Sequence, residues 1–148
     1  MSLGKIIAVF PCSGKTHYVL NNFHKESCID HDFYDWMYRG NLGHSWLVKY
    51  IFRMKDLRKK FKFVYVNTLP TIINELPKDS IVIYPNRSLK EEWIQRAIKR
   101  GGETAFPLTL GEKWDYWLDA CNTWEGKKYE LQSGQYLSDI QKELKCLK

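Results

Sequence analysis

The sequence predicts an α/β fold: a five-stranded parallel sheet covered by helices on both faces. Three observations carry this expectation. Short β-branched apolar runs alternate along the chain with stretches of helical period. The first run, KIIAVF from Lys5 to Phe10, has no polar alternation, as a strand buried on both faces requires. Finally, 148 residues at 44% hydrophobic and 27% charged describe one ordinary domain closing one core, neither a disordered chain nor a pair of domains.

The elements follow in order. After the first strand, Pro11-Cys12-Ser13-Gly14 reads as a turn, and Lys15 to Phe23 as a helix. A second short strand fits Ser27 to Asp30. From Ser45 to Lys60 the apolar residues Trp46, Leu47, Tyr50, Ile51, Met54 and Leu57 recur at helical spacing and mark a core-facing stripe. Phe61 to Val66 is a third strand, Leu69 to Leu76 a short helix closed by Pro77, and Ser80 to Tyr84 a fourth strand closed by Pro85. Ser88 to Lys99 is helical, with Gly101 and Gly102 as its stop. A helix over Thr109 to Trp124, a fifth strand over Lys128 to Leu131 and a last helix from Gln135 to Leu147 complete the chain.

The sharpest chemical signal is Val9-Phe10-Pro11-Cys12-Ser13-Gly14-Lys15-Thr16, which ends in Gly-Lys-Thr between a buried strand and a helix. A phosphate-binding loop needs that context and those residues. Gly14 lets backbone amides curl around phosphate oxygens, Lys15 brings an ammonium to the β- and γ-phosphates, and the Thr16 hydroxyl is placed for Mg²⁺. The pattern departs at its first position, where Val9 replaces glycine; Pro11 is expected to stiffen the loop instead, and Cys12 to fill space and present its amide.

Charge and cysteine usage narrow the class further. Lys plus Arg exceed Asp plus Glu by 23 to 17, a formal +6, which favours polyanionic partners such as nucleotides or nucleic acid. The cations gather in two clusters: Lys55, Arg58, Lys59, Lys60 and Lys62, then Arg87, Lys90, Arg96, Lys99 and Arg100. Cys12, Cys28, Cys121 and Cys146 show no C-x-x-C pairing, so the expectation is reduced thiols in a cytosol. No stretch is apolar enough to cross a bilayer, and Met1 to Lys5 lacks the layout of an export signal, so no membrane role and a cytoplasmic location are expected.

With these residues in place the sequence resembles the P-loop kinases of the nucleoside and nucleotide kinase group, and more closely the small kinase-like P-loop proteins encoded by bacteriophages. The resemblance runs from Lys5 to Asp139. It rests on IIAVFPCSGKTHY (Ile6 to Tyr18), on Ile29-Asp30-His31-Asp32, on Tyr84-Pro85-Asn86-Arg87-Ser88-Leu89-Lys90 with Arg96 and Arg100, and on Leu131 to Asp139. It implies a three-layer P-loop NTPase fold, a single domain over residues 1–148 with a basic helical lid at about 86–104, and ATP and Mg²⁺ as cofactors.

The resemblance also assigns roles. Asp32, and Asp30 second, would be the base or the carboxylate on the metal side, with Thr16 and Asp32 holding Mg²⁺. Lys15 and the lid cations Arg87, Arg96 and Arg100 would neutralise the transferred phosphate, since phosphoryl transfer is mostly positioning and charge compensation. Arg96 and Arg100, four apart, share a helical face. Ser133 and Gly134 lie where related kinases wrap the adenine with backbone atoms. Tyr34, Arg39 and Arg53, with Trp36, Tyr38 and Trp46, fall in the acceptor region. The second acidic strand end of the group is missing: Val66 leads into Asn67 and Tyr84 into Pro85-Asn86, where Asn67 could orient a water.

Three readings accommodate these features. The first is an ATP-dependent kinase of a nucleoside, a nucleotide or a similar small acceptor. The second is a kinase of a polynucleotide 5′-hydroxyl or a DNA base, with the cluster from Lys55 to Lys62 as an electrostatic track. The third is an NTP-binding regulatory protein with little turnover, which Val9 and the missing acid would suit.

Overall fold

The apolar runs form the sheet. A computed structural model describes residues 3–31, 46–101, 105–140 and 143–144. Its strands are β1 (Lys5–Val9), β2 (Cys28–Asp30), β3 (Phe63–Val66), β4 (Ile81–Pro85) and β5 (Lys127–Leu131), all parallel, in the order β2-β3-β1-β4-β5. β1 lies at the centre, with Ile7 opposite Tyr65 on one side and Ile81 on the other. This position explains a strand with no polar face: Ile6, Ile7, Ala8 and Val9 are all buried. β5 (KKYEL) is an edge strand, and its exposed lysines and glutamate discourage further pairing.

The helices are α1 (Lys15–Asn22), α2 (Trp46–Leu57), α3 (Pro70–Ile73), α4 (Lys90–Arg100) and α5 (Phe106–Asn122), with 3₁₀ turns at Arg87–Leu89 and Leu137–Ile140. Right-handed crossovers place α1 on one face of the sheet and α2 to α5 on the other. The contacts agree: α1 touches the Leu137–Ile140 turn, while α3 and α4 both pack on α5. One buried cluster runs through both interfaces and includes Tyr50, Met54 and Leu57 of the α2 stripe.

Several boundaries differ from the sequence expectation for local reasons. α5 starts at Phe106 rather than Thr109 because Pro107 fits the first turn, where its missing N–H has no partner to lose. Pro85 belongs to β4, in register with Leu131 of the edge strand. The last helix is not continuous from Gln135. The N–H of Leu137 bonds the Ser13 carbonyl at 2.8 Å and that of Tyr136 bonds the Asp139 carboxylate at 2.8 Å, which bends this stretch into a 3₁₀ turn.

The first basic cluster is not a uniform solvated track. Arg58 is only 9% exposed, with Nη2 2.7 Å from Asp79 and Nε donating to the Gly4 carbonyl at 3.0 Å, so it ties the end of α2 to the start of β1. Lys59, Lys60 and Lys62 surround the turn into β3, at the amino edge of the sheet. The Gly-Lys-Thr loop lies at the opposite, carboxyl edge. These lysines therefore lie at the edge of the sheet away from that loop.

Candidate functional site

The loop between β1 and α1 is built to present its backbone. Phe10, just past β1, is 1% exposed and packs edge-on against Trp114 at 5.4 Å, and its N–H bonds the Ile83 carbonyl of β4. The loop then turns through two left-handed residues, Cys12 at φ 62° and Gly14 at φ 89°. Gly14 suits that conformation, and a Cβ there would also press on the Tyr136 ring at 3.2 Å. Val9 keeps a negative φ as the last residue of β1, so no glycine is needed where the common pattern has one. Cys12 instead carries the unusual backbone. Burial raises its thiol above the ordinary cysteine range despite the opposing pull of Arg100 and Arg96, which keeps it protonated.

Lys15, Thr16 and Asp30 converge at the mouth of the loop. Lys15 Nζ lies 3.1 Å from Asp30 Oδ1, and Thr16 Oγ1 donates to Asp30 Oδ2 at 3.0 Å. Oδ1 accepts no aligned hydrogen bond, so the ammonium holds it as an ion pair. A hydroxyl and a carboxylate at this spacing are hard oxygen donors of the kind Mg²⁺ takes. Among the described residues no three His, Cys, Asp or Glu side chains gather as a metal cage. An ion held here would draw its other oxygens from phosphates and water, as Mg²⁺ commonly does. Asn67, at the end of β3, borders the same cavity, with its Oδ1 accepting from the Leu69 N–H.

The cavity measures about 790 Å³ and is walled on its far side by α4, through Glu92, Arg96, Lys99 and Arg100. Arg96 is fixed rather than loose. Its guanidinium lies 3.7 Å from the Trp93 ring centroid and 3.9 Å from that of Tyr136, and it donates to the carbonyls of Cys12 and Gln135 and to Glu92. Glu92 in turn accepts from the Ser133 hydroxyl at 2.6 Å and the Gly134 N–H at 2.9 Å. These bonds hold its carboxyl below the usual range, the Gly134 amide most strongly. α4 thus braces both the Gly-Lys-Thr loop and the turn after β5. Arg100 borders the cavity with its guanidinium 5.0 Å from the Phe106 ring.

The structure gathers some of the expected residues and not others. Pro11, Cys12, Gly14, Lys15, Thr16, Arg96, Arg100 and Gly134 border one cavity, with Ser13 buried in the loop and Asp30 against Lys15. Arg87 does not border it; its guanidinium pairs with Asp115 at 2.8 Å and Asp119 at 2.7 Å on α5. Arg53 is likewise outside, 3.2 Å from Asp56 on its own helix. Asp32, Tyr34 and Arg39, with Trp36 and Tyr38, lie outside the described residues. Residues 102–104, the far end of the expected lid, do too. Glu92, Gln95 and Phe106 complete the site without having been singled out. Only Glu92 left a local sign, its spacing of four from Arg96 on a helix.

No protein-family model matches the sequence, and no curated protein matches it. Solved structures do. The tunicamycin resistance protein of Deinococcus radiodurans superposes with a TM-score of 0.57 at 10% identity, covering 97% of this chain and 94% of that one. An uncharacterized protein from Eubacterium ventriosum gives 0.49 at 16% identity, covering 97% of each chain. At such identity the first likeness speaks to the fold alone, and it offers nothing toward a bacteriophage relationship. The chain has a three-layer α/β fold of the P-loop type, with a five-stranded parallel sheet and a basic helix beside the loop. No helix among the described residues is long and apolar enough to cross a membrane.

Proposed function

We propose that this chain is a Mg²⁺-dependent phosphotransferase that moves the γ-phosphate of ATP to a small nucleoside or nucleotide acceptor. The observation that carries the reading is the convergence of Lys15 and Thr16 on Asp30 at the mouth of a loop with two left-handed residues. In the resting protein the Asp30 carboxylate occupies the ammonium that a phosphate would otherwise engage. With a triphosphate on Lys15, Asp30 and Thr16 would be the oxygen donors that hold Mg²⁺, which would supply charge neutralisation.

For a hydroxyl acceptor, Asp32, with Asp30 second, takes the proton while the acceptor oxygen bonds the γ-phosphorus and the bond to the β-phosphate oxygen breaks, releasing ADP. A nucleotide acceptor attacks through an oxygen already anionic and needs no base. Lys15, Lys99 and Arg100 spread positive charge around the cavity for the transferred group. Arg96 acts by holding the loop, and Arg87 joins only by leaving Asp115 and Asp119. Tyr34, Arg39 and Arg53 are assigned to the acceptor side.

A second reading, NTP binding with little turnover, is favoured by the ends of β3 and β4. Asn67 and Asn86 stand there in place of acids, and each uses its Oδ1 on a nearby backbone N–H. ADP release from ATP and Mg²⁺, screened over nucleosides, nucleoside monophosphates and a 5′-hydroxyl oligonucleotide, separates the two. Acceptor-dependent ADP that disappears in Lys15→Ala supports the kinase. ATP binding with no stimulation by any acceptor supports the second reading.

A further inference from the structure

The turn after β5 borders the cavity through Gly134 and Tyr136, and most of its backbone N–H groups are already spent. The N–H of Gln132 goes to the Gln135 side chain, that of Gly134 to Glu92, that of Gln135 to the Gln132 carbonyl, that of Tyr136 to Asp139 and that of Leu137 to the Ser13 carbonyl. Of the carbonyls, Gln132 accepts from Gln135, Gln135 from Arg96 and Tyr136 from Asp139. The Ser133 N–H and the Ser133 and Gly134 carbonyls are not among these bonds, so the backbone of the turn does not by itself decide which base is held.

What the turn does offer is a ring. Two ring centroids within 4 Å of one guanidinium carbon must lie on its opposite faces, so Arg96 sits between Trp93 and Tyr136 and has no face left for a base. Trp93 is fully buried behind it. Tyr136 is 42% exposed, has Arg96 on one face, has its ring edge 3.2 Å from where a Cβ on Gly14 would stand, and lines the cavity. Its outer face is backed by a cation and set beside the place where phosphates bind. Stacking on such a face suits every base, because each has a π-surface.

We infer that Tyr136 is the base platform of the nucleotide site, and that it holds nucleoside triphosphates by stacking with little choice among the four bases. The inference rests on the phosphate-loop reading above. Its test is calorimetric binding of ATP, GTP, CTP, UTP and inorganic tripolyphosphate, each with Mg²⁺, to the full chain. The four nucleotides should bind within about threefold of one another, and all tighter than tripolyphosphate by about five- to a hundredfold, the range of base–aromatic stacking. Tyr136→Leu should erase that gap for every base while leaving tripolyphosphate binding within about twofold, and Tyr136→Phe should restore it. A preference of about tenfold or more for one base overturns the inference. So does a gap that survives Tyr136→Leu, or one that closes in Phe106→Leu instead. If Tyr136→Leu loses tripolyphosphate too, the ring serves the loop and not the base. Failure of tripolyphosphate to bind the wild-type chain sinks the phosphate-loop reading itself.

Discussion

Acid should loosen this protein through His31, the residue that follows Asp30. The imidazole is 6% exposed and stacks on Tyr50 of α2, with centroids 3.9 Å apart and planes 13° from parallel. Nε2 lies 3.1 Å from the Tyr50 carbonyl, which can only accept, so Nε2 carries the proton. The Tyr50 hydroxyl answers by donating to the His31 carbonyl at 2.6 Å. Burial pushes the pKa down to about 4; the Tyr50 carbonyl opposes this, the charges of Lys15 and Arg53 add to it, and Asp30 opposes it weakly. The unfolded chain titrates near 6.5, so between 6.5 and about 4 it binds a proton that the folded chain refuses. Stability from this group is therefore complete above 6.5, falls as pH drops through that window, and is flat below it. The interval is worth roughly 3 kcal/mol, at about 1.4 kcal/mol for each pH unit. Carboxylates titrate in the same range, so the quantity to measure is a difference. His31→Gln keeps an N–H for the Tyr50 carbonyl but does not ionise. Urea unfolding of both proteins should show the wild-type advantage shrinking by about 2–3 kcal/mol between about pH 7 and pH 4.5. Parallel curves would mean that the imidazole titrates normally and that the stacked, buried geometry is wrong.

Two further outcomes follow from the site. Asp30→Asn removes the carboxylate that competes with phosphate for Lys15, 3.1 Å away. Metal-free tripolyphosphate, followed by calorimetry in EDTA, should bind this variant about tenfold tighter, the equivalent of one charge-assisted bond, while phosphoryl transfer to a hydroxyl falls by about a hundredfold or more. Unchanged metal-free affinity would show that the ion pair does not guard the loop. Arg96→Ala breaks bonds to Cys12, Gln135 and Glu92 and empties the space between two rings. It should cost about 2–4 kcal/mol in urea unfolding, and Arg96→Lys should recover little of it, because an ammonium has no planar face to stack. A loss below about 1 kcal/mol would show that Trp93 and Tyr136 close on each other without the guanidinium.

The fold was legible where the cause is local and obscure where it is not. KIIAVF announces a doubly buried strand by its lack of alternation, and Gly-Lys-Thr after it announces the loop by residue type and by place. The strand order β2-β3-β1-β4-β5 is not legible, since period and propensity describe a strand's faces and not its neighbours. Arg58 makes the same point at one residue. Within a run of lysines it reads as solvated charge, yet it is buried against Asp79 and the Gly4 carbonyl, partners well separated from it along the chain.

The site divides in the same way, and the division bears on function. Spacing alone places Arg96 and Arg100 on one helical face, and a basic helix after β4 reads as a source of mobile cations. Whether a cation is mobile depends on what already holds it. Arg100 lies over the single ring of Phe106, whereas Arg96 is gripped on both faces and by three acceptors, two of them backbone carbonyls of the loop and the turn that it joins. The same accounting moves Glu92 from an ordinary partner of Arg96 to the group that occupies the Ser133 and Gly134 donors. Residue type therefore states what a side chain can bind. The distant neighbours that fill its faces and lone pairs determine what remains for a ligand, and here what remains is the backbone of the Gly-Lys-Thr loop and the outer face of Tyr136.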